Sequence, residues 1–199
     1  MNSKNSTRRL TIMALFFAII IIQNYVPLLG YIPVGPLEVT TIHITVIIAG
    51  IVMGPRDGAI VGGLWGIVDL IRAWTLTSSV LGNIVMKNPL ISVLPRILVG
   101  LIAGYIMVFL SKRSMQRQLA MVISAVIGSL VNTVLVLGLI YLFFHGGSTE
   151  LNKINIPALL PYVLAVAGTN GIPEAIAAGI IAPLISTPLL RYTKFGQNK

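Results

Sequence analysis

Apolar residues gather into six stretches along the chain, and each is closed by a basic, polar or Gly/Pro-rich turn. They are rich in Leu, Ile, Val, Ala and Gly and lack strict alternation, which fits helices better than barrel strands. The first runs from about Leu10 to Leu29, behind Arg8-Arg9. Gly30 to Thr41 contains Pro33, Gly35 and Pro36, cannot continue that helix, and reads as an ordered outer loop. The second stretch, roughly Thr40 to Met53, is ~21 Å long at 1.5 Å per residue and need not cross a bilayer alone. The Gly54-Pro55-Arg56-Asp57-Gly58 turn then reverses the chain into a third helix that reaches about Trp74. Thr75 to Lys87 is a second outer loop, Asn88 to Leu110 the fourth span, and Ser111 to Arg117 a short basic inner loop. The fifth span runs from about Leu119 to Phe144, and His145 to Lys153 forms a third outer loop. Residues 157–168 are apolar but contain Pro161, and read as a surface or re-entrant helix. Asn170 is then the expected cap of a fresh helix, with Pro173 and Glu174 in its first turn, that reaches about Leu190. The fold class expected is therefore an all-α integral membrane protein. It is a single domain over 1–199, a six-transmembrane-helix bundle whose outer loops cap a solute site.

Composition strengthens this reading. With 56% hydrophobic residues, 10% charged residues and a mean hydropathy of +0.93, the chain has too little polar surface for a water-soluble domain. The net charge of +9 would suggest nucleic acid in a soluble protein, but here the basic residues sit at span ends, and nucleic acid is discounted. Lys4, Arg8, Arg9, Arg56, Lys112, Arg113, Arg117, Arg191, Lys194 and Lys199 fall on one side, against Lys87 and Lys153 on the other. The basic tails 1–9 and 191–199, and hence both termini, are expected in the cytoplasm. Cysteine is absent, which excludes a disulfide framework and thiolate chemistry. The basic start followed by an apolar run resembles a signal peptide, yet no small-residue cleavage site follows Ile22, so a retained span is expected.

The candidate chemistry lies in the polar residues that interrupt the spans. Arg96 sits in the fourth, where a guanidinium costs about 2.5–3.5 kcal/mol on insertion scales and so usually faces a bundle interior, a carboxylate or an anionic ligand. It is read as the floor of a binding pocket, the alternative being an arginine that snorkels or ties helices together. Trp65, Asp69 and Arg72 stand at i, i+4 and i+7 on one helix face, although Asp69 could simply pair with Arg72 one turn on. Asn132 lies deeper and could be interhelical glue. Asn170 and Glu174 sit at the mouth of the sixth span. These residues collect in the outer half, as a solute site beneath lids requires. His43 and His145 share no metal-ligand spacing, so no metal is expected. No phosphate-binding Gly-x-x-x-x-Gly-Lys-Ser/Thr loop, Gly-x-Ser-x-Gly elbow or His-Glu-x-x-His motif occurs, which argues against ATP hydrolysis and proteolysis by this chain. Without an evident inverted repeat, a partner must supply the energy for transport. Ala14/Ala18, Gly62/Gly66, Gly100/Gly104 and Ala175/Gly179 are small-xxx-small pairs, most of them suited to internal helix packing.

Several of these motifs occur in an order that resembles the substrate-binding S components of energy-coupling factor transporters. They are Ala14-x-x-x-Ala18, Thr40-Thr41-Ile42-His43-Ile44, the Gly54–Gly58 turn followed by Gly62, Asn88-Pro89 through Leu94-Pro95-Arg96, Asn132-Thr133, and Asn170-Gly171-Ile172-Pro173-Glu174. The resemblance covers nearly the whole chain and is strongest to the pantothenate-specific members. It implies a vitamin as ligand and two kinds of partner, a transmembrane coupling subunit (T component) packed on Ala14 and Ala18 and two ATPase subunits that use ATP and Mg. It also implies a bacterial cell membrane location and a loaded subunit that tips over to deliver its solute. No cofactor is expected in this chain. The candidate substrate-binding set is Thr41, His43, Trp65, Asp69, Arg72, Arg96, Asn132, Asn170 and Glu174, with Thr41 and His43 entering through the motif they occupy. A mixed-sign pocket with an aromatic wall also leaves pyridoxine, a thiamin precursor, folate and riboflavin open. A stand-alone carrier or channel, and a membrane enzyme using Asp69 and Glu174 as acid and base, are the other function classes.

Overall fold

The computed structural model describes residues 3–34, 37–76, 80–113, 115–145 and 159–193. Helix α1, Ser3–Tyr25, carries no Pro or Gly and stops four residues short of the expected Leu29. Pro27 and a Leu28 with φ 64° turn the chain there. The loop expected between the first two spans is a β-hairpin, β1 (Tyr31–Val34) against β2 (Leu37–Thr40), with Tyr31 paired opposite Thr40 at its base. Helix α2, Ile42–Met53, is short, and every residue from Ile42 to Val52 is buried by its neighbours. It forms the axis of the bundle.

Gly54, at φ 97°, ends α2, and Pro55 opens α3, Pro55–Thr75, where its missing N–H is harmless. Arg9 of α1 reaches across to clasp the Asp57 carboxylate in the first turn of α3 with both Nε and Nη2. The outer loop expected from Thr75 to Lys87 contains a short helix, α4, Val80–Val85. The fourth span is broken: Asn88 Oδ1 accepts the Leu90 N–H at 3.0 Å to cap α5, Pro89–Ser92, and the chain turns at Val93 into α6, Leu94–Lys112. Helix α7, Arg117–Phe144, is unbroken. The last span begins earlier than expected. Helix α8 (Leu159–Val166) runs through a π-helical turn (Ala167–Gly171) into α9 (Ile172–Thr193). Asn170 is thus not the cap of a fresh helix but part of that wide turn. Residues 146–158 and 194–199, which include Lys153, Lys194 and Lys199, lie outside the described residues.

Glycines let α2, α3 and α6 approach to backbone contact. A Cβ on Gly62 would lie 2.0 Å from the Arg96 carbonyl oxygen, one on Gly100 2.1 Å from the Gly58 oxygen, and one on Gly50 2.6 Å from the Gly100 oxygen. These pairs are internal packing. Ala14 and Ala18, by contrast, are exposed, on a helix that is the least buried of the four that, among the described residues, are long enough and apolar enough to cross a membrane. The apolar core divides in two. A main cluster gathers residues of α1, α2, α3, α6, α7 and α9, and a smaller one of Val85, Ile91, Leu137, Ile140 and Val163 lies beneath α4, α5 and α8.

Candidate substrate site

The candidate site opens between these two clusters, at the hairpin end of the bundle. Pro95 begins its construction. Having no N–H, it cannot donate to the Ile91 carbonyl four residues back, so the helix breaks and that carbonyl is left over. Arg96 takes it, donating from Nη1 at 2.8 Å. Its Nη2 donates to Asp69 Oδ2 at 3.0 Å and lies 3.6 Å from Met86 Sδ. The guanidinium carbon sits 4.9 Å from the centre of the Trp65 ring, so the charge is held by an ion pair, a carbonyl and an aromatic face. The side chain is 2% exposed and its Nε has no protein partner.

Asp69 does not pair with Arg72. Its Oδ1 accepts from the Tyr31 hydroxyl at 2.8 Å, while Arg72 stacks on the Tyr31 ring at 3.8 Å. Trp65 Nε1 donates to the same hydroxyl at 3.3 Å, and Asn24 Oδ1 lies 3.0 Å from it. Burial pushes the Tyr31 phenol well above its ordinary range, with the neighbouring Asp69 charge adding to the shift, so it remains a neutral donor. Opposite Tyr31 in the hairpin, Thr40 donates its backbone N–H to Glu174 Oε1 at 2.7 Å.

The cavity encloses about 500 Å³ of space between its walls, with the open solvent at its mouth included. Its polar wall is Thr40, Arg96, Asn132, Thr133, Asn170 and Glu174, and its apolar wall is Met86, Val136, Leu137, Ile140 and Val166. Asn132 Oδ1 is buried without a partner. A buried donor on Arg96 and a buried acceptor on Asn132, both left open, call for a polar ligand, since such groups are normally satisfied.

Four of the candidate substrate-binding residues therefore line the cavity: Arg96, Asn132, Asn170 and Glu174. The wide π turn brings Asn170 there, packed so closely that a Cβ on Gly171 would lie 2.8 Å from Thr133 Cγ2. Trp65 and Asp69 stand behind Arg96 and act on it, and Arg72 stands behind Tyr31. The other two candidates hold the hairpin. Thr41 donates its hydroxyl to the Leu29 carbonyl at 2.7 Å, and His43 lies fully buried between Thr40 Oγ1 (3.3 Å) and Ser129 Oγ (3.2 Å). Among the described residues, no group of three His, Cys, Asp or Glu side chains could hold a metal ion. Sequence reasoning missed Tyr31, Asn24 and Thr40. Thr40 contributes a backbone group, which no side-chain pattern announces.

The profile of the family "ECF transporter, substrate-specific component" matches residues 8–186. The chain belongs to that family. This substrate-specific component is 37% identical over 196 residues to the pantothenate transporter PanT of Leuconostoc mesenteroides, covering 94% of the chain and 95% of that protein. It is 30% identical over 202 residues to the pantothenic acid transporter PanT of Lactococcus lactis subsp. cremoris, covering 94% and 96% respectively. The crystal structure of the S component for biotin from an ECF-type ABC transporter superposes with a TM-score of 0.59 at 18% identity, covering 94% of this chain and 95% of that one. The fold is thus that of a transporter S component, and the all-α membrane bundle expected from the sequence stands, with a small β-hairpin added.

Proposed function

We propose that this substrate-specific component binds pantothenate and delivers it to an energy-coupling factor complex. The observation that carries the reading is the buried guanidinium of Arg96, whose Nε has no protein partner, in the lining of a cavity that has one polar and one apolar wall. Pantothenate has a carboxylate at one end, an amide in the middle, and a gem-dimethyl group between two hydroxyls at the other. Arg96 is a charge-assisted partner for the carboxylate, Asn132 Oδ1 an acceptor for the amide N–H, and Asn170 and Glu174 partners for the hydroxyls. Val136, Ile140 and Val166 suit the methyl groups. The two PanT relatives support the same vitamin.

The partners follow the family's plan. A transmembrane coupling subunit would pack on Ala14 and Ala18, whose outward-facing small side chains let a second helix come close. The loaded component would tip over in the membrane to carry its site toward the cytoplasm, and two ATPase subunits would use ATP and Mg to reset it. Both termini would lie in the cytoplasm of a bacterial cell, as the distribution of Lys and Arg supports.

The test is binding of labelled pantothenate to the purified chain beside Arg96→Ala. Loss of a charge-assisted bond of about 1.5–3 kcal/mol weakens binding roughly ten- to a hundredfold. Thermal unfolding of the same samples separates this from misfolding, because the variant also leaves Asp69 buried without its cation. Wild-type protein that ignores pantothenate but holds another vitamin would overturn the substrate and leave the family assignment in place.

A further inference from the structure

A ligand carboxylate that enters the cavity meets a cation that already has a counter-ion, because Asp69 Oδ2 lies 3.0 Å from Arg96 Nη2. How far Asp69 cancels the guanidinium decides how strongly the site prefers an anion. The other oxygen of Asp69 faces the Tyr31 hydroxyl at 2.8 Å. That hydroxyl has one proton and two acceptors within reach, Asp69 Oδ1 and Asn24 Oδ1, the latter at 3.0 Å. Trp65 Nε1, 3.3 Å away, occupies one of its lone pairs and holds the oxygen in place. Arg72, stacked on the ring at 3.8 Å, fixes the plane.

We propose that Tyr31 is a positioning residue that sets the preference of this site for an anion over its neutral analogue, by dividing its single hydroxyl proton between Asp69 and Asn24. When the proton points to Asp69, the carboxylate spends part of its charge on the phenol, and Arg96 keeps more for the ligand. When it points to Asn24, Asp69 turns fully to Arg96 and offsets it. Asn24 Nδ2 donates to the Ile20 carbonyl at 2.9 Å within α1, which keeps Oδ1 turned toward the hydroxyl as a fixed second acceptor. Tyr31 does not line the cavity, so its influence passes through Asp69 to Arg96. The inference rests on the pantothenate reading above and adds a determinant of selectivity to it.

Calorimetric titration with pantothenate and with pantothenol, in which a primary alcohol replaces the carboxylate, tests it. In Tyr31→Phe the ratio of pantothenate to pantothenol affinity falls roughly two- to tenfold, the size of one net hydrogen bond. In Asn24→Ala the proton has only Asp69 to go to, and the same ratio rises. A merely structural role for Tyr31 would weaken both ligands alike and give both variants the same sign. Equal loss for the two ligands in Tyr31→Phe, or a falling ratio in Asn24→Ala, overturns the proposal while pantothenate binding by wild type stands. Wild-type protein that binds neither compound overturns the pantothenate reading and this inference with it.

Discussion

Arg96 remains inside the bundle because both of its terminal nitrogens meet groups that the fold supplies. Pro95 frees the Ile91 carbonyl, Asp69 brings the charge and Trp65 the aromatic face, while Nε has no protein partner. Asn132 is its counterpart, an acceptor buried in the same polar wall. Asn132→Leu therefore weakens pantothenate binding by roughly tenfold while thermal stability holds or rises, because it removes an unsatisfied buried group. Unchanged affinity in this variant would remove Asn132 from the site. The sequence displays Arg96 plainly, as a charge in an apolar run. It misleads about Asp69, since the nearest cation along the helix is Arg72 and the true partner lies on another helix. Tyr31 is hidden altogether, because Gly30-Tyr31-Ile32 reads only as a turn until the hairpin folds back over α3.

At the scale of elements, six main helices were legible from hydropathy and their breaks were not. The turn at Val93, the π turn at Ala167–Gly171 and the hairpin all depend on which backbone groups find partners after packing. The glycine seam between α3 and α6 is the clearest link from spacing to structure. A side chain at Gly62 would run into the Arg96 carbonyl oxygen at 2.0 Å, a backbone atom that cannot swing aside. The neighbouring Gly63 meets only the flexible end of Ile97, at 3.4 Å. Gly62→Ala should thus cost at least the roughly 1–3 kcal/mol typical of overpacking, seen as a lower unfolding midpoint, and should weaken ligand binding by shifting Arg96 against Asp69. Gly63→Ala should be close to neutral in both measurements. Equal effects would show that α3 and α6 are not in register as described.

Seen whole, the molecule consists of a tightly knit body and one peripheral helix. Helix α1 is fastened near one end by Arg9 and Asp57 and near the other by Asn24, beside the Tyr31 hydroxyl, while Ala14 and Ala18 between them face outward. Enlarging both alanines to Leu should abolish copurification with the coupling subunit and leave pantothenate affinity within about twofold, since neither side chain approaches the cavity. Parallel loss of binding would place α1 in the site instead. At the opposite end of the bundle, Tyr31 and Thr40 form a single rung of the hairpin, one holding Asp69 on α3 and the other Glu174 on α9. That rung is a crossbar resting on two carboxylates from different helices. A solute in the cavity can reach only the Glu174 end of the bar, since Asp69 stands behind Arg96, so a guest that draws on Glu174 unloads one support and leaves the other in place.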